Sequence, residues 1–382
     1  MNAADPARRF APMAMQLLHS SFAPERYLAP RSMSTLVPVH HCNGHSHKGD
    51  NTNACKPAAA IFLAPIVAMV GALAIPGAAW SAQEAWPSRT ITYTVPFTPG
   101  GATDIIGRLY SVHLAKMLDV PVVVENIGGT GGSIGSAKVA RAKPDGYSIV
   151  GGTISSHSIN ASIYPNTGYD PVKSFSPIIM TGSLPNVLVV RADSPHKSVQ
   201  DLINAARKTD AKLAFGSAGV GSSQHLTGEL FNNSSGTKML HVPYKGSGPA
   251  LQALMGGEID LLFDNITAAA PLVKAGTLRA LAVTSKKESA TLPGVKPLDQ
   301  LGLPGFEVIS WQAVFAPAGT PRATIDKLYQ AMSETLRIPA VRSQLEGLGI
   351  EVSGEGPDAL AAFQKKEVDK WAAIAKTANI KP

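Results

Sequence analysis

From residue 86 onward the chain alternates between two hydrophobic periods. "TITYTVPF" is β-branched and aromatic and predicts a strand. The next stretch places apolar residues at Ile105, Leu109 and Val112, and again at Ile106, Tyr110, Leu114 and Met117, which is the spacing of a helix. Thr103 is placed to cap it. "VPVVVEN" is a near-continuous apolar run, as expected of a parallel strand covered on both faces. "GGTGGSIGSAKVARAK" turns into a second helix and "YSIVGG" is a third strand. The pattern restarts after Pro185. "NVLVVRAD", "KLAFGSAG", "MLHVPYKG", "IDLLFDN" and "LRALAVTS" read as strands. "SVQDLINAARK", capped by Ser198, "SSQHLTGELFNN" and "GPALQALMGG" read as helices. The last part is helical. One helix starts at Thr320-Pro321 and buries Ile325, Leu328, Met332 and Leu336; another carries Leu360, Phe363, Trp371 and Ile374.

Strand–helix alternation predicts parallel sheets with helices on both faces, and two such blocks predict two α/β lobes. In such sheets ligands sit at the carboxyl ends of the strands. Every glycine-rich turn above falls there, so the turns of both lobes are expected to face one cleft.

The first part of the chain is different. Residues 1–55 are polar and irregular; the run "PAAAIFLAPIVAMVGALAIPGAAWSAQ" follows Lys56. An apolar core ending in small residues reads as a secretory signal over 56–82, cut after Ala79 or Ala82. A retained membrane anchor is the rival reading, but Pro65, Gly71 and Pro76 interrupt the run. Both cysteines, Cys42 and Cys55, precede it, so the exported chain is expected to have no disulfide and no thiol chemistry. His40, His41, His45 and His47 beside them match no zinc module, and no metal is expected.

The 382 residues are 45% hydrophobic and 16% charged, with a net charge of +7. Without residues 1–82 the surplus falls to about +4, and the basic residues do not cluster. That excludes the basic footprint of a nucleic-acid binder.

The turns carry the candidate chemistry. In "VPFTPGGATDIIGRL" a strand ends in two glycines just before a helix, which builds an anion pocket from free amides. Asp104, in that helix's first turn, suits the helix dipole and repels an anion unless it points away or the ligand also bears an amine. "GTGGSIG" is one residue off a dinucleotide fingerprint and lacks the later acidic residue, which leaves a close-packed turn as the plainer reading. "FGSAGVGSSQH" has Phe215 where GxSxG needs glycine. A Ser217–His225–Asp264 triad stays open on spacing alone, as does a purely binding role for Ser222, Ser223 and His225 at the helix start. Ser155, Ser156 and His157 open another helix. Tyr244 and Lys245 precede a third glycine turn, where Lys245 either attracts an anion or is simply solvated. Asp264-Asn265 ends a buried strand, to cap the next turn or to line the cleft.

Taken in order, "WPSRTITYTVPFTPGGATD", "VVVENIGGTGGSIG", "PDGYSIVGG", "YDPVKSFSPI", "FGSAGVGSSQHLTGELF", "HVPYKGSGPALQALMGGEIDLLFDN", "VKAGTLRALAVTS" and "PGFEVISWQAVFAPAGTP" resemble the Bug-type solute receptors of tripartite tricarboxylate transporters. The resemblance covers essentially all of the chain from residue 86. It departs at Ile127-Gly128, where the family usually has a basic residue and Pro.

The resemblance implies an α/β, two-lobed periplasmic binding protein of the type II, Venus-flytrap kind. Two crossover strands are expected, near 186–191 and 308–315. Lobe 1 would be 86–186 plus 309–382, and lobe 2 would be 187–308. The ligand would be a small carboxylate held by backbone amides, hydroxyls and water. Phe97, Pro99, Gly100, Gly101, Ala102, Thr103 and Asp104 would meet one end. Thr153, Ser155, Ser156 and His157, with Ser217, Ala218, Gly219, Gly221, Ser222, Ser223 and His225, would surround the rest. Tyr244, Lys245, Gly246 and Asp264 would form the edges. The implied protein is no enzyme, uses no cofactor, acts as a monomer in the periplasm and serves a membrane permease. A sensor for a membrane signalling partner and an exported α/β hydrolase are the alternatives.

Overall fold

The structure is a computed structural model and describes residues 86–208, 210 and 212–377. The N-terminal extension, the apolar run with its cleavage positions and both cysteines lie outside the described residues.

The first block runs β1 (Ile91–Val95), α1 (Ala102–Leu118), β2 (Val122–Asn126), α2 (Ser133–Ala140) and β3 (Ser148–Thr153). A π-helical turn (Ser155–Ile159) and the short α3 (Asn160–Ile163) lead to the long β4 (Phe175–Arg191). The second block runs α4 (Val199–Ala206), β5 (Ala214–Ser217), α5 (Ser223–Ser235), β6 (Leu240–Pro243), α6 (Ser247–Gly256), β7 (Leu261–Asn265), α7 (Ile266–Lys274) and β8 (Leu278–Val283). The chain then returns through β9 (Ile309–Pro317) to α8 (Arg322–Arg337), α9 (Pro339–Gly347), β10 (Glu351–Val352) and α10 (Pro357–Thr377).

Strand order is β2-β1-β3-β9-β4-β7-β5-β6, with β8 and β10 also on β4. Within each block the strands run parallel, β1 with β2 and β3, and β5 with β6 and β7. The two long strands are the exception to the expected parallel sheet. β4 and β9 run antiparallel to each other, β9 to β3 and β4 to β7. β4 belongs to both lobes. Up to Pro185, opposite Ile309, it pairs with β9; from Asn186, opposite Asn265, it pairs with β7. Strand alternation splits the core between the two sheet faces. Val187, Val189, Val314 and Ala316 pack into one apolar cluster, and Leu188, Val190, Ala313 and Phe315 into the other. Each fully buried Val, Leu or Phe among them stabilises the fold by about 1.5–3 kcal/mol.

Three local expectations are corrected. β2 is an edge strand, bonded to β1 alone, and Val123 is 51% exposed, so it is not covered on both faces. Thr103 does not cap α1; Gly101 holds the cap position, and the Thr103 hydroxyl donates to Gln312 Oε1 at 2.9 Å. Pro321 is the residue before α8 rather than its first residue. Ser198 caps α4 as read, accepting from Asp201 N–H at 3.0 Å. Ile325, Leu328, Met332 and Leu336 are all buried.

The last helix is pinned to the return strand. The indole N–H groups of Trp311 and Trp371 both donate to Glu367 Oε2, at 3.2 and 3.1 Å, and Lys370 Nζ lies 3.0 Å from Oε1. Among the described residues no helix is long and apolar enough to cross a membrane.

Candidate ligand-binding cleft

Five strand-to-helix turns meet where β1, β3, β5, β6 and β7 end. Between them lies a cavity of about 20 Å³, room for little more than a water molecule. From the first lobe it is lined by Phe97, Gly101, Ala102 and Thr103 at the start of α1, by Thr153, Ile154 and Ser155 after β3, and by Ser310 and Gln312 on β9. The second lobe contributes Ala218, Ser223, Gln224, Ser247 and Asn265. No Lys, Arg, Asp or Glu is among these residues. The first turns of α1, α5 and α6 bring backbone amides that have no partner within their helix, each at the positive end of a helix dipole. Neutral donors in a dry site hold an anion well, because hydrogen bonds to ions strengthen as water is excluded.

The two lobes touch directly around this cavity. Ser223 N–H donates to Ser155 Oγ at 2.9 Å, and Tyr164 Oη donates to the Val220 carbonyl at 2.8 Å. Asn265 Nδ2 reaches Asn186 Oδ1 at 2.6 Å and Ser310 Oγ at 3.2 Å, so one side chain links β7 to both crossing strands. Glycines make the approach possible. A β-carbon on Gly131 would lie 2.6 Å from the Val220 carbonyl oxygen, and one on Gly248 would lie 2.6 Å from that of Pro99. This is the use of the "GTGGSIG" turn here: backbone packs against backbone across the lobes.

Eight of the expected site residues line the cavity: Phe97, Gly101, Ala102, Thr103, Thr153, Ser155, Ala218 and Ser223. The others are elsewhere, each for a visible reason. Asp104 points away. It accepts from Gly100 N–H at 3.0 Å and Asn126 Nδ2 at 2.9 Å, and pairs with Arg108 at 3.0 Å. Burial alone would raise its pKa, but the Arg108 guanidinium and these donors hold it below the usual value. It therefore keeps its charge without facing a ligand. Pro99 and Gly246 face the other lobe's turn, Pro99 meeting Gly248 and Gly246 meeting Thr98.

Ser156 turns back to Thr153 N–H and to His157 Nδ1. His157 stacks on Phe315 with centroids 4.2 Å apart and lies 4.5 Å from Phe175; burial pushes its pKa down to about 3. Gly219, Tyr244 and Lys245 line a second groove of about 480 Å³ with Thr98, Thr130 and Tyr164.

The hydrolase arrangement is not assembled. Ser217 is fully buried and bonds His241 Nε2 at 2.7 Å, rather than His225. His225 accepts from Gly221 N–H and stacks on His241 at 4.0 Å, while Ser222 caps α5 through His225 N–H. Burial lowers both imidazoles, to about 4 for His225 and about 3 for His241, the latter also through its neighbour. Asp264 accepts from Ser247 and Gln224 instead of a histidine. Among the described residues no group of three or more His, Cys, Asp or Glu is placed to hold a metal.

Asn265, read as capping a turn or lining the cleft, lines it, and Ile154, Gln224, Ser247, Ser310 and Gln312 complete the cavity without having been singled out as site residues. For Ser310 and Gln312 the signal was present: two polar residues spaced by two, on one face of the apolar strand "ISWQAVFAP".

Residues 106–380 match the model of the tripartite tricarboxylate transporter family receptor. A UPF0065 protein from the tcbD-tcbE intergenic region of Pseudomonas sp. strain P51 is 40% identical over 75% of this chain and 86% of its own length. Protein BugT of Bordetella pertussis is 33% identical over 78% of this chain and 92% of its own. Among solved structures, R. palustris Rpa4515 with adipate is 37% identical, with a TM-score of 0.75 over 78% of this chain and 99% of that one. MatC of Rhodopseudomonas palustris with bound malate is 33% identical, with a TM-score of 0.73 over 76% and 99%.

Proposed function

Because the chain belongs to the tripartite tricarboxylate transporter receptor family and is similar in structure to the periplasmic binding protein BugD, we propose that it captures a small organic carboxylate between its lobes and delivers it to a membrane permease. The observation that carries this reading is the cavity itself. Helix N-termini from both lobes converge on it, and no charged side chain lines it. The relatives solved with adipate and malate point to the same ligand chemistry. The lobes, 86–186 with 309–382 and 187–308, turn about β4 and the segment entering β9. A ligand touches both lobes only when they are closed, so binding draws the population to that state. The apolar run over 56–82 directs export to the periplasm and is cut off together with the residues before it. In this reading the protein binds its ligand without turning it over, in keeping with a structural relative that is a periplasmic binding protein.

The experiment is a thermal-shift screen of residues 83–382 against mono-, di- and tricarboxylates, aromatic acids and acidic amino acids. Ligand at about 100 times its Kd stabilises the native state by about 2.7 kcal/mol, a shift of several degrees. At least one acid is expected to give it. A flat response across the whole panel would refute the proposal.

A further inference from the structure

At the crossing between the lobes, β9 has two faces, and only one of them meets the cavity. Ser310 and Gln312 line the cavity. Their neighbours in the strand point to the opposite side. Trp311 donates to Glu367 of α10, and Ile309 lines a separate groove of about 470 Å³. The second lobe forms one wall of this groove, with Leu230 and Ser234 on α5 and the segment 304–308 that enters β9. The first lobe forms the other wall, with Lys370, Trp371 and Ile374 on α10. The groove therefore lies between the lobes, as the cavity does, but behind the strands on which they turn.

The two spaces are filled very differently. With the turns of both lobes in contact, the cavity holds about 20 Å³ while the groove behind holds about 470 Å³. The groove's apolar residues are parts of one core. Phe306 and Val308 belong to the same apolar cluster as Trp371, and Leu230 and Ile374 pack against it from the two walls. A rotation about the crossing strands that parts the turns at Ser155 and Ser223 carries α5 toward α10. That motion removes apolar surface of both walls from water. It also brings Glu307 of the second lobe toward Lys370 of the first, and these are opposite charges. Closing the cleft undoes both gains.

We propose that this rear groove sets the balance of the hinge: its walls meet when the cleft opens, and their contact fixes how much of the unliganded protein is closed. The inference rests on the two-lobed hinge of the reading above and is independent of which acid is bound. Apparent affinity scales with the closed fraction, so groove residues tune affinity without touching the ligand.

The test is to wedge the groove from either wall. Ser234 is exposed on α5, and Ser and Trp have similar helix propensity, so Ser234→Trp leaves its lobe intact. Ile374→Trp sets the wedge on α10. Asn233→Trp, next to Ser234 but outside the groove, is the control. Small-angle X-ray scattering of the unliganded proteins is expected to give a smaller radius of gyration for both wedge variants than for wild type and control. Calorimetric titration with malate and with adipate is expected to show that an acid bound by wild type is bound about threefold or more tighter by both wedge variants. Unchanged radii, or affinities that are unchanged or weaker in folded wedge variants, overturn the inference, while the carboxylate reading stands on the binding itself. If neither acid binds, the radii alone decide, and a smaller radius upholds the role of the groove even where the carboxylate reading fails.

Discussion

Replacing Gly248 by alanine is expected to weaken ligand binding about 10- to 100-fold without lowering the melting temperature of the unliganded protein. Gly248 is the second residue of α6, and its φ is not in the left-handed region. Alanine is preferred over glycine within a helix by up to ~1 kcal/mol, so the second lobe itself gains or is unaffected. The cost arises across the cleft. The new β-carbon would lie 2.6 Å from the Pro99 carbonyl oxygen of the first lobe, and a backbone atom cannot swing aside as a flexible side chain can. Overpacking of this kind costs about 1–3 kcal/mol, and here it falls on the closed state alone. Gly131 makes a comparable approach to Val220, but its φ of 55° would strain a side chain in either state. Gly256, at the far end of α6, has nothing within 4 Å of its β-position and is the control. Calorimetric titration and thermal melts of Gly248→Ala and Gly256→Ala decide the matter. Equal affinity in the two variants would mean that closure does not bring α6 onto the Pro99 turn.

Acid is expected to unfold the protein through its buried histidines. His157, His225 and His241 have folded pKa values of about 3, 4 and 3, against an ordinary value near 6.5, because burial disfavours the imidazolium. Below pH 6.5 the unfolded chain therefore binds protons that the folded chain refuses. Stability is full above 6.5 and is lost as the pH falls toward 4. Asp264 acts in the opposite sense, since burial raises it to about 6, and it offsets one histidine between pH 6 and 4. The net of two protons corresponds to roughly 3 kcal/mol per pH unit over that window. Urea unfolding of the unliganded protein at pH 7.5, 6.5, 5.5 and 4.5 measures it. A midpoint that does not move between pH 7 and 5 would show that these rings are protonated in the fold.

The sequence revealed the lobes more readily than the long strand that joins them. Runs such as "TITYTVPF" and "IDLLFDN" state their conformation locally. The first half of β4 did not, because Pro177 and Pro185 look like breakers. Pro177 in fact falls at a register shift, and Pro185 is the last residue paired to β9 before the strand changes sheets. α7 went unread for a related reason, since Pro271 lies inside it. At the site, the glycine turns identified the right loops, because strand ends point into a cleft whatever their side chains do. Which side chains enter the cavity depended on partners distant in sequence. Ser217 is taken by His241, Asp104 by Arg108 and Asn126, and His157 by Phe175 and Phe315. Apart from Asp104–Arg108, an i,i+4 pair within α1, no local pattern encodes those pairings.

The central claim is that uncharged donors of two closing lobes hold a carboxylate. A crystal structure of residues 83–382 with the tightest-binding acid of the screen tests it most directly. The account predicts carboxylate oxygens within hydrogen-bond reach of the first amides of α1, second-lobe residues enclosing the rest, and no Lys or Arg nitrogen within ~4 Å. An acid ion-paired to Lys245 in the outer groove, with the turns around Ser155 and Ser223 parted, would contradict it.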